Sequence, residues 1–335
     1  MPQIWDSLPS AARQQFDPPF RLDQICDWVF RHHVVNPGAM TNLSKAMRQE
    51  LVAERLYRSD LLLTTATSED GSVKALFGDG ERRWETVWMP FADHNTLCVS
   101  SQSGCRMGCK FCATAALASA TNLTAGEILG QLFWATSSGK IVDRVVFMGM
   151  GEPLANYQAI HAAISWLVAK SGGSWSPSRI TVSTAGIIAP MDRLWDELRV
   201  HLAISLNGYD DSSRSSWMPI GETVTFGRLI DWARQRAGGR RRITFEYILA
   251  GGRTDQPSHA AALAGALQGI PIRVNLIPWN DWGNPEIRPV NEVAIEQFAR
   301  RLSRAGVIVT VRRSRGQDIR GACGQLAASG EPDAA

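Results

Sequence analysis

From about residue 96 onward, short apolar runs alternate with amphipathic stretches, and this alternation constrains the fold more than any other feature. Seven apolar runs read as strands: TLCVSS, RVVFMGM, RITVSTA, VHLAISL, ITFEYIL, IRVNLIP and VIVTVRR. Helical periodicity occurs between them, in AGEILGQLFWATS, YQAIHAAISWLVAK, TFGRLIDWARQR, SHAAALAGALQ and EVAIEQFARRLSRA. Such strands are typical of a parallel sheet covered by helices. The alternation therefore predicts an α/β fold, an open or partial barrel, with function at the carboxyl ends of its strands.

The segment ahead of this array has a different character. Residues 1–60 contain two stretches of helical periodicity, LDQICDWVFRHH and SKAMRQELVAERL, and they predict a small helical unit. Residues 61–95 carry short β-rich runs separated by EDG and GDG, which predict hairpins. We therefore expect a helical accessory domain that binds RNA over 1–60, a β extension over 61–95, the barrel over 96–322, and a cysteine loop with a tail over 323–335.

Bulk composition leaves most function classes open. The chain has 335 residues, 44% of them hydrophobic, and a net charge of +3, which neither requires nor excludes a nucleic-acid partner. The first residues lack the apolar region of a signal peptide, and no apolar run reaches the length of a membrane span. We expect a cytoplasmic monomer without a membrane contact.

Three of the six cysteines crowd into CRMGCKFC, directly after the first predicted strand of the array. Thiolates at Cys105, Cys109 and Cys112 can hold three irons of a [4Fe–4S] cluster and leave the fourth iron open for a substrate. The alternative is structural zinc with Cys323 or a histidine as fourth ligand. Zinc sites more often pair two such cysteine knuckles, and this chain has no second pair.

The same cysteine spacing, with Phe111 before the third cysteine and a GEP stretch after the next strand, resembles the radical S-adenosylmethionine (SAM) enzymes. Glycines at 149 and 151 would let the backbone approach SAM, and Glu152 would pair with its ammonium group. The likeness is closest to the RlmN/Cfr group of RNA adenine methyltransferases. It is carried by ETVWMP, TLCVSSQSGC, GCKFCAT, NLTAGEILGQ, FMGMGEPLANY, ITVSTAGI, LAISLN, NLIPWN and RGQDIRGACGQL.

This resemblance implies a partial (βα)6 radical SAM barrel that uses a [4Fe–4S] cluster and two SAM molecules per turnover. Asn207 stands where the family usually has histidine, and an amide can still donate and accept hydrogen bonds. Taken singly, the polar residues among the SAM positions could also be turn formers. The implied SAM positions are Gly151, Glu152, Ser183, Ser205, Leu206, Asn207 and Asn280.

The resemblance also assigns roles to two further cysteines and a carboxylate. Carbon 2 or carbon 8 of adenine is electrophilic, so the base cannot simply displace the methyl group of SAM. Cys323 corresponds to the cysteine that first accepts a methyl group, and Cys98 to the one that resolves the later enzyme–RNA adduct. Glu85 corresponds to the general base or substrate-binding carboxylate. Without the resemblance, Cys98 would be a small core residue and Glu85 a surface glutamate.

We expect methylation of carbon 2 of an adenosine in 23S ribosomal RNA, and also in transfer RNA, with a flavodoxin- or ferredoxin-type electron donor. Alternatives are methylation at carbon 8, another RNA adenosine, a radical SAM activase acting on a protein, and a zinc-stabilised RNA-binding protein. Arginines beside the catalytic loop are candidate phosphate contacts. The candidates are Arg240, Arg241, Arg242, Arg312, Arg313, Arg315 and Arg320.

Overall fold

The structure, a computed structural model, describes residues 4–53, 56–117, 119–239 and 241–328. Ten strands form one sheet, in which the order of the strands is their order in the chain. Strands β1 to β4 pair antiparallel, and β4 to β10 pair parallel. The strands are β1 Leu62–Thr67, β2 Val73–Asp79, β3 Arg82–Pro90, β4 Asn95–Cys98, β5 Arg144–Phe147, β6 Ile180–Thr184, β7 His201–Ser205, β8 Ile243–Leu249, β9 Arg273–Pro278 and β10 Ile308–Val311.

Helices precede the sheet and connect its parallel strands. None of the helices in the described part of the chain is long and apolar enough to cross a membrane. They are α1 Pro9–Arg13, α2 Phe20–Cys26, α3 Lys45–Ala53, α4 Ala125–Ser137, α5 Tyr157–Val168, α6 Ile188–Glu197, α7 Asp211–Trp217, α8 Phe226–Arg236, α9 Pro257–Leu267 and α10 Glu292–Arg304.

All seven strands predicted for the array are present as β4 to β10, and the five predicted helices are α4, α5, α8, α9 and α10. The apolar pattern did not mark α6 and α7. Helix α7 is a short polar segment, DSSRSSW, and α6 contains Pro190, so neither carries a long apolar period. The predicted hairpins are also present, because β1, β2 and β3 pair antiparallel in sequence.

The N-terminal helices dock on the outside of the barrel through Trp5. Its side chain is fully buried, with the ring 4.9 Å from that of Trp166 on α5 and 5.3 Å from that of Phe133 on α4. The indole Nε1 donates to the backbone oxygen of Leu56, 2.7 Å away. These contacts join the predicted helical unit to the first two helices of the barrel.

Alternation along the parallel strands separates a core face from a concave inner face. Val182, Leu202 and Phe245 are fully buried under the helices. Ser183, next to Val182, and Ser205, three positions after Leu202, point to the other side and line a pocket there. Successive side chains of a strand point to opposite faces, so the pleat itself places these polar groups inside the barrel.

Candidate active site

A pocket of about 150 Å³ lies where the parallel strands end, between the cysteine loop and the C-terminal loop. It collects residues from β5, β6, β7, β8 and β9, as the fold predicts for a site at the carboxyl ends of strands. We call it the active-site pocket. The predicted site residues that line it are Cys105, Cys109, Cys112, Gly151, Glu152, Ser183, Ser205, Asn207, Asn280 and Cys323.

Two tryptophans hold the cysteine loop in place. The indole Nε1 atoms of Trp279 and Trp282 each donate to the backbone oxygen of Phe111, at 3.1 Å. The Phe111 ring packs edge-on against Trp217, with 5.8 Å between the ring centroids. These side chains belong to a small apolar cluster separate from the main core. The loop is therefore positioned by packing and by carbonyl contacts that the cysteine spacing alone does not reveal.

The three clustered thiols fit an iron–sulfur group. They lie on one loop and line one pocket, and burial raises the pKa of Cys105 to about 12. A cationic metal centre would displace such protons on binding. Within the described ranges, no group of three or more His, Cys, Asp or Glu side chains converges as it would on a single metal ion. The fit of a cluster therefore rests on the shared loop and pocket.

Glu152 is a buried carboxylate at the edge of this pocket. Its oxygens accept hydrogen bonds from Thr184 Oγ1 and the backbone N–H of Ala185, both at 2.7 Å, and from that of Leu154 at 3.1 Å. Burial raises the pKa of Glu152, although these hydrogen bonds oppose the rise. The contacts fix the orientation of the carboxylate, and a ligand ammonium would supply the positive charge that the site lacks.

The glycines beside Glu152 line the active-site pocket and also permit close packing within the protein itself. The approach of their backbone to SAM stays a prediction. A Cβ on Gly149 would lie 2.6 Å from Ser100 Oγ and 2.8 Å from the backbone of Val99. Gly151 has φ +98°, and a Cβ there would lie 2.6 Å from the Cβ of Gln102. The segments after β4 and β5 approach each other too closely for any larger residue.

Arg214 is a positioning residue that the sequence reasoning missed. Its fully buried guanidinium donates to the backbone oxygens of Ser205 at 2.5 Å, Leu206 at 2.6 Å and Ala185 at 2.6 Å. A fourth bond reaches the carbonyl of Val224 at 2.9 Å. Burial lowers the pKa of Arg214 to about 10. The only sequence signal was an arginine in a polar run, which usually indicates a solvated face.

The turn after β7 places Asn207 in the pocket and Leu206 in the core. Asn207 has φ +43°, a left-handed conformation that asparagine tolerates well, and its Oδ1 accepts from the backbone N–H of Ile248 at 2.9 Å. Leu206 is fully buried and is absent from the pocket lining, so any SAM contact from it would have to come through its backbone.

Cys98 and Cys323 share a second cavity of about 300 Å³, which adjoins the active-site pocket at Met148 and Arg312. Both cysteines are free thiols. Burial, and then the neighbouring Cys323, raise the pKa of Cys98 to about 12, while Arg312 opposes the rise. Arg312 lines both cavities beside the two thiols, and its contact with an RNA phosphate stays a prediction.

Glu85 lies close to this site but is absent from the linings of both cavities. Its buried carboxylate pairs with Lys74, with Oε1 2.9 Å from Nζ. Its Oε2 accepts from the backbone N–H groups of Ala327 and Ala328, at 3.1 and 3.0 Å. In this conformation Glu85 holds the segment that follows Cys323.

Other contacts anchor the Cys323 loop from two sides. Asn280 Nδ2 donates to the backbone oxygen of Cys323 at 2.9 Å. The backbone N–H of Ala113, next to the last clustered cysteine, donates to the oxygen of Gly324 at 2.7 Å. The cysteine loop and the C-terminal loop are therefore directly joined.

The remaining candidate phosphate contacts are divided among several roles. Arg313 pairs with Glu292, and Arg241 lies over the ring of Trp195, 3.9 Å from its centroid. Arg315 lies over Phe91, and Arg320 is exposed. Arg242 is exposed and lines a further cavity inside the barrel. Arg240 and the tail over 329–335 lie outside the described residues.

Comparison with known proteins matches these features to one family. Residues 99–264 match the radical SAM superfamily, and residues 13–55 match the ribosomal RNA large subunit methyltransferase N-terminal domain. The dual-specificity RNA methyltransferase RlmN of Anaeromyxobacter dehalogenans is 38% identical over 94% of this chain and 87% of its own length. RlmN of Alkalilimnicola ehrlichii is 39% identical over 92% of this chain and 88% of its own.

The chain belongs to the RlmN family of radical SAM RNA methyltransferases. A solved radical SAM methyltransferase from Sphaerobacter thermophilus superposes with a TM-score of 0.91 at 36% identity, covering 98% of this chain and 99% of that one. The α/β partial barrel expected for the family is thus confirmed. Membership also decides against the zinc-stabilised RNA-binding protein, because family members are SAM-dependent enzymes.

Proposed function

We propose that this enzyme methylates carbon 2 of an adenine in 23S ribosomal RNA, and an adenine of transfer RNA as well, through a methyl-cysteine at Cys323. The observation that carries the proposal is the cavity shared by Cys98 and Cys323, which opens into the active-site pocket. Transfer of a methyl group through sulfur to an electrophilic ring carbon needs two thiols besides the cluster ligands. These two are the ones that the structure brings together.

Residues of the active-site pocket would bind both cofactors. Cys105, Cys109 and Cys112 would ligate the [4Fe–4S] cluster, and Glu152 would pair with the ammonium group of SAM. The bound cluster would supply the electron that cleaves SAM reductively and so generates the radical that the reaction requires. Ser183, Ser205, Asn207 and Asn280 would contact the rest of SAM.

Cys323, Glu85 and Cys98 then have separate roles in the reaction. Cys323 accepts the methyl group of a first SAM, and a second SAM is consumed in activating that methyl, so two are used per turnover. After the methyl carbon has added to the ring, the adduct gives up one electron, which a bound cluster would take up, and Glu85 takes the ring proton. Cys98 attacks the sulfur of Cys323, an S–S bond forms, the S–C bond breaks, and the carbon takes up a proton to become the methyl group of the base.

Glu85 must leave its present partners before it can act as a base. Its carboxylate is bound to Lys74 and to the backbone after Cys323. We propose that RNA binding displaces this segment and frees Glu85. We further propose that the enzyme works as a cytoplasmic monomer, reduced by a flavodoxin- or ferredoxin-type protein.

The test is mass spectrometry of nucleosides from ribosomal and transfer RNA, in a host that lacks other members of the family. Expression of the chain should produce 2-methyladenosine, and Cys323→Ala should abolish it. Cys98→Ala should accumulate a covalent protein–RNA adduct, because the thiol that releases the base is missing. Cys26→Ala is the matched control, since Cys26 is a buried thiol in α2 and should leave methylation intact.

The outcome also separates the alternatives. Appearance of 8-methyladenosine instead would place the reaction at carbon 8 and overturn the carbon-2 assignment. Methylation that survives Cys323→Ala would overturn the methyl-cysteine route. SAM cleavage by the purified protein without any methylated adenosine in RNA would overturn the proposed substrate while leaving the radical chemistry in place.

A further inference from the structure

A cavity of about 470 Å³ opens on the inner face of the barrel, near the amino ends of the parallel strands. We call it the basic cavity and define it by Arg144, His201, Arg242 and Arg273. Arg144 and Arg242 are exposed, while His201 and Arg273 are half-buried. No role in the reaction proposed above uses any of these four side chains.

The register of the sheet explains why these side chains converge. Each basic residue lies four positions before an inward-facing residue of the active-site pocket, so both point to the same face of the strand. Four residues of a strand span about 13 Å at ~3.3 Å per residue. The pairs are Arg144 and Met148 at β5, His201 and Ser205 on β7, Arg242 and Glu246 at β8, and Arg273 and Ile277 on β9.

The cavity has more donors than acceptors. Within the described part of the chain, neither Arg242 nor Arg273 has a carboxylate in ion-pair distance, and Arg144 contacts His94, with 3.2 Å between Nη1 and Nε2. Among the residues that the structure describes, the buried Arg273 Nε and His201 Nε2 find no hydrogen-bond partner, and the same holds for Glu246 Oε2 where the cavity meets the active-site pocket. Buried polar atoms without partners are costly, so this arrangement favours an anionic ligand.

The basic cavity is continuous with the catalytic centre. Met148, Glu246 and Arg312 line both the basic cavity and the active-site pocket, and Arg312 also reaches the cavity of Cys98 and Cys323. Glu246 is the acidic residue of the lining, and it accepts from Asn275 Nδ2 at 3.0 Å while facing Arg312. A bound strand can therefore run from the arginines to the reactive thiols.

We propose that the basic cavity is a phosphate subsite, which binds the RNA backbone next to the adenine that reacts at Cys323. This inference rests on the proposed function. The ~13 Å between the two ends is spanned by a few nucleotides stacked at about 3.4 Å. A single strand can enter a concave barrel interior, whereas the surface of a globular electron donor cannot, and this favours RNA over an acidic protein.

The test measures RNA binding by the holoenzyme with Arg242→Gln/Arg273→Gln. The probe is a fluorescein-labelled RNA hairpin with an unpaired adenosine in its loop, titrated over a series of salt concentrations. We expect ~10-fold weaker binding near ~0.1 M salt, and a slope of log K against log salt that is smaller by about 1.4, or ~0.7 for each lost contact. Reductive SAM cleavage without RNA should be unchanged.

Arg301→Gln/Arg304→Gln is the matched control, because both arginines are exposed on α10, outside the lining of the basic cavity. It should bind the hairpin as the wild type does. Because Arg242 is exposed, the single variant Arg242→Gln tests the same point without disturbing the core, with an expected slope change of about 0.7.

Unchanged affinity and slope in both glutamine variants would overturn the subsite, even if the wild type methylates RNA. Slower reduction by a flavodoxin-type donor with RNA binding intact would show a protein-docking surface and would also overturn it. A wild-type enzyme that binds the hairpin with the expected arginine dependence but methylates no adenosine would keep the subsite and reject the proposed reaction.

Discussion

At the residue scale, the geometry of the active-site pocket depends strongly on Arg214. One planar guanidinium holds the carbonyls of Ser205 and Leu206 at the end of β7, and of Ala185 after β6. A Cβ on Gly208 would lie 2.7 Å from the Cβ of Arg214, so the absence of a side chain at Gly208 leaves room for the Arg214 side chain. Buried carbonyls without a donor would be costly, and a lysine cannot reach all of them.

We therefore predict that Arg214→Lys lowers the free energy of unfolding by about 2–4 kcal/mol, because at least two buried carbonyls lose their donor. The variant should also bind SAM more weakly, because Arg214 holds the backbone of the turn that carries Ser205 and Asn207. Urea denaturation and SAM binding by the purified protein measure the two effects. Arg193→Lys, in an exposed pair with Glu197, should change stability by less than about 0.5 kcal/mol. Equal stability of the two variants would contradict the positioning role.

A second prediction at this scale concerns Gly149. Its substitution by alanine should destabilise the fold by about 1–3 kcal/mol, because the added methyl group would overlap Ser100 and the backbone of Val99. Gly265→Ala is the control, since Gly265 lies in α9 with open space around it, and it should stabilise by about 0.5–1 kcal/mol. If Gly149→Ala weakened SAM binding at unchanged stability, the glycine would serve the ligand after all.

At the element scale, the turn between β1 and β2 holds the loop that leads to Cys323. Asp70 Oδ2 accepts from the backbone N–H of Gly316 at 2.9 Å, and Asp318 accepts from Ser68 Oγ and the N–H of Glu69. The β extension is thus part of the site, because it fixes the base of the catalytic loop as well as supplying Glu85.

This link predicts a pH dependence of stability. Burial alone would raise the pKa of Asp70, but hydrogen bonds from Ser72, Gly316 and Ser68 outweigh it and lower the pKa to about 2, from 3.8. A lowered carboxyl pKa stabilises the fold fully above the unfolded value, and this stabilisation is lost as pH falls toward 2. The stability gap between wild type and Asp70→Asn should be constant above about pH 5 and narrow below it. Urea titrations at several pH values measure this gap, and a gap independent of pH would contradict the account.

At the scale of the whole molecule, the N-terminal helices are held to the barrel by an aromatic contact. Trp5 packs edge-on against Phe30, Phe133 and Trp166, and Trp166 Nε1 donates back to the oxygen of Ser7 at 2.9 Å. Asp6 accepts from the backbone N–H of Gly126, at the start of α4. The family-specific N-terminal unit is therefore packed against the helices that follow β4 and β5.

We predict that Trp5→Ala lowers the free energy of unfolding by about 3–5 kcal/mol, because it removes a fully buried indole and leaves a cavity. Phe20→Ala is the control, since the Phe20 side chain is 48% exposed, and it should cost less than about 0.5 kcal/mol. Chemical denaturation compares the two. A small effect of Trp5→Ala would mean that the helical unit docks mainly through other residues.

The sequence by itself determined the elements and their kind. Apolar runs and helical periods are local, so β4 to β10 and five helices could be read from them, and Cys105, Cys109 and Cys112 stand together on one loop. The resemblance then added seven residues, and the structure brings these seven and the three clustered cysteines into one pocket. The site residues that lie on strands share the inner face of the barrel because successive side chains of a strand point to opposite faces.

Only the tertiary structure decided the contacts between distant segments. Examples are the bond of Arg214 to Ala185, the bonds of Glu85 to the segment after Cys323, and the close approach of Gly149 to Val99. The position of Arg312 beside Cys98 and Cys323 is another. The convergence of Arg144, His201, Arg242 and Arg273 likewise follows from strand register, which no single segment contains. Hydrogen-bond partners and close approaches are fixed by packing, and packing is a property of the whole fold.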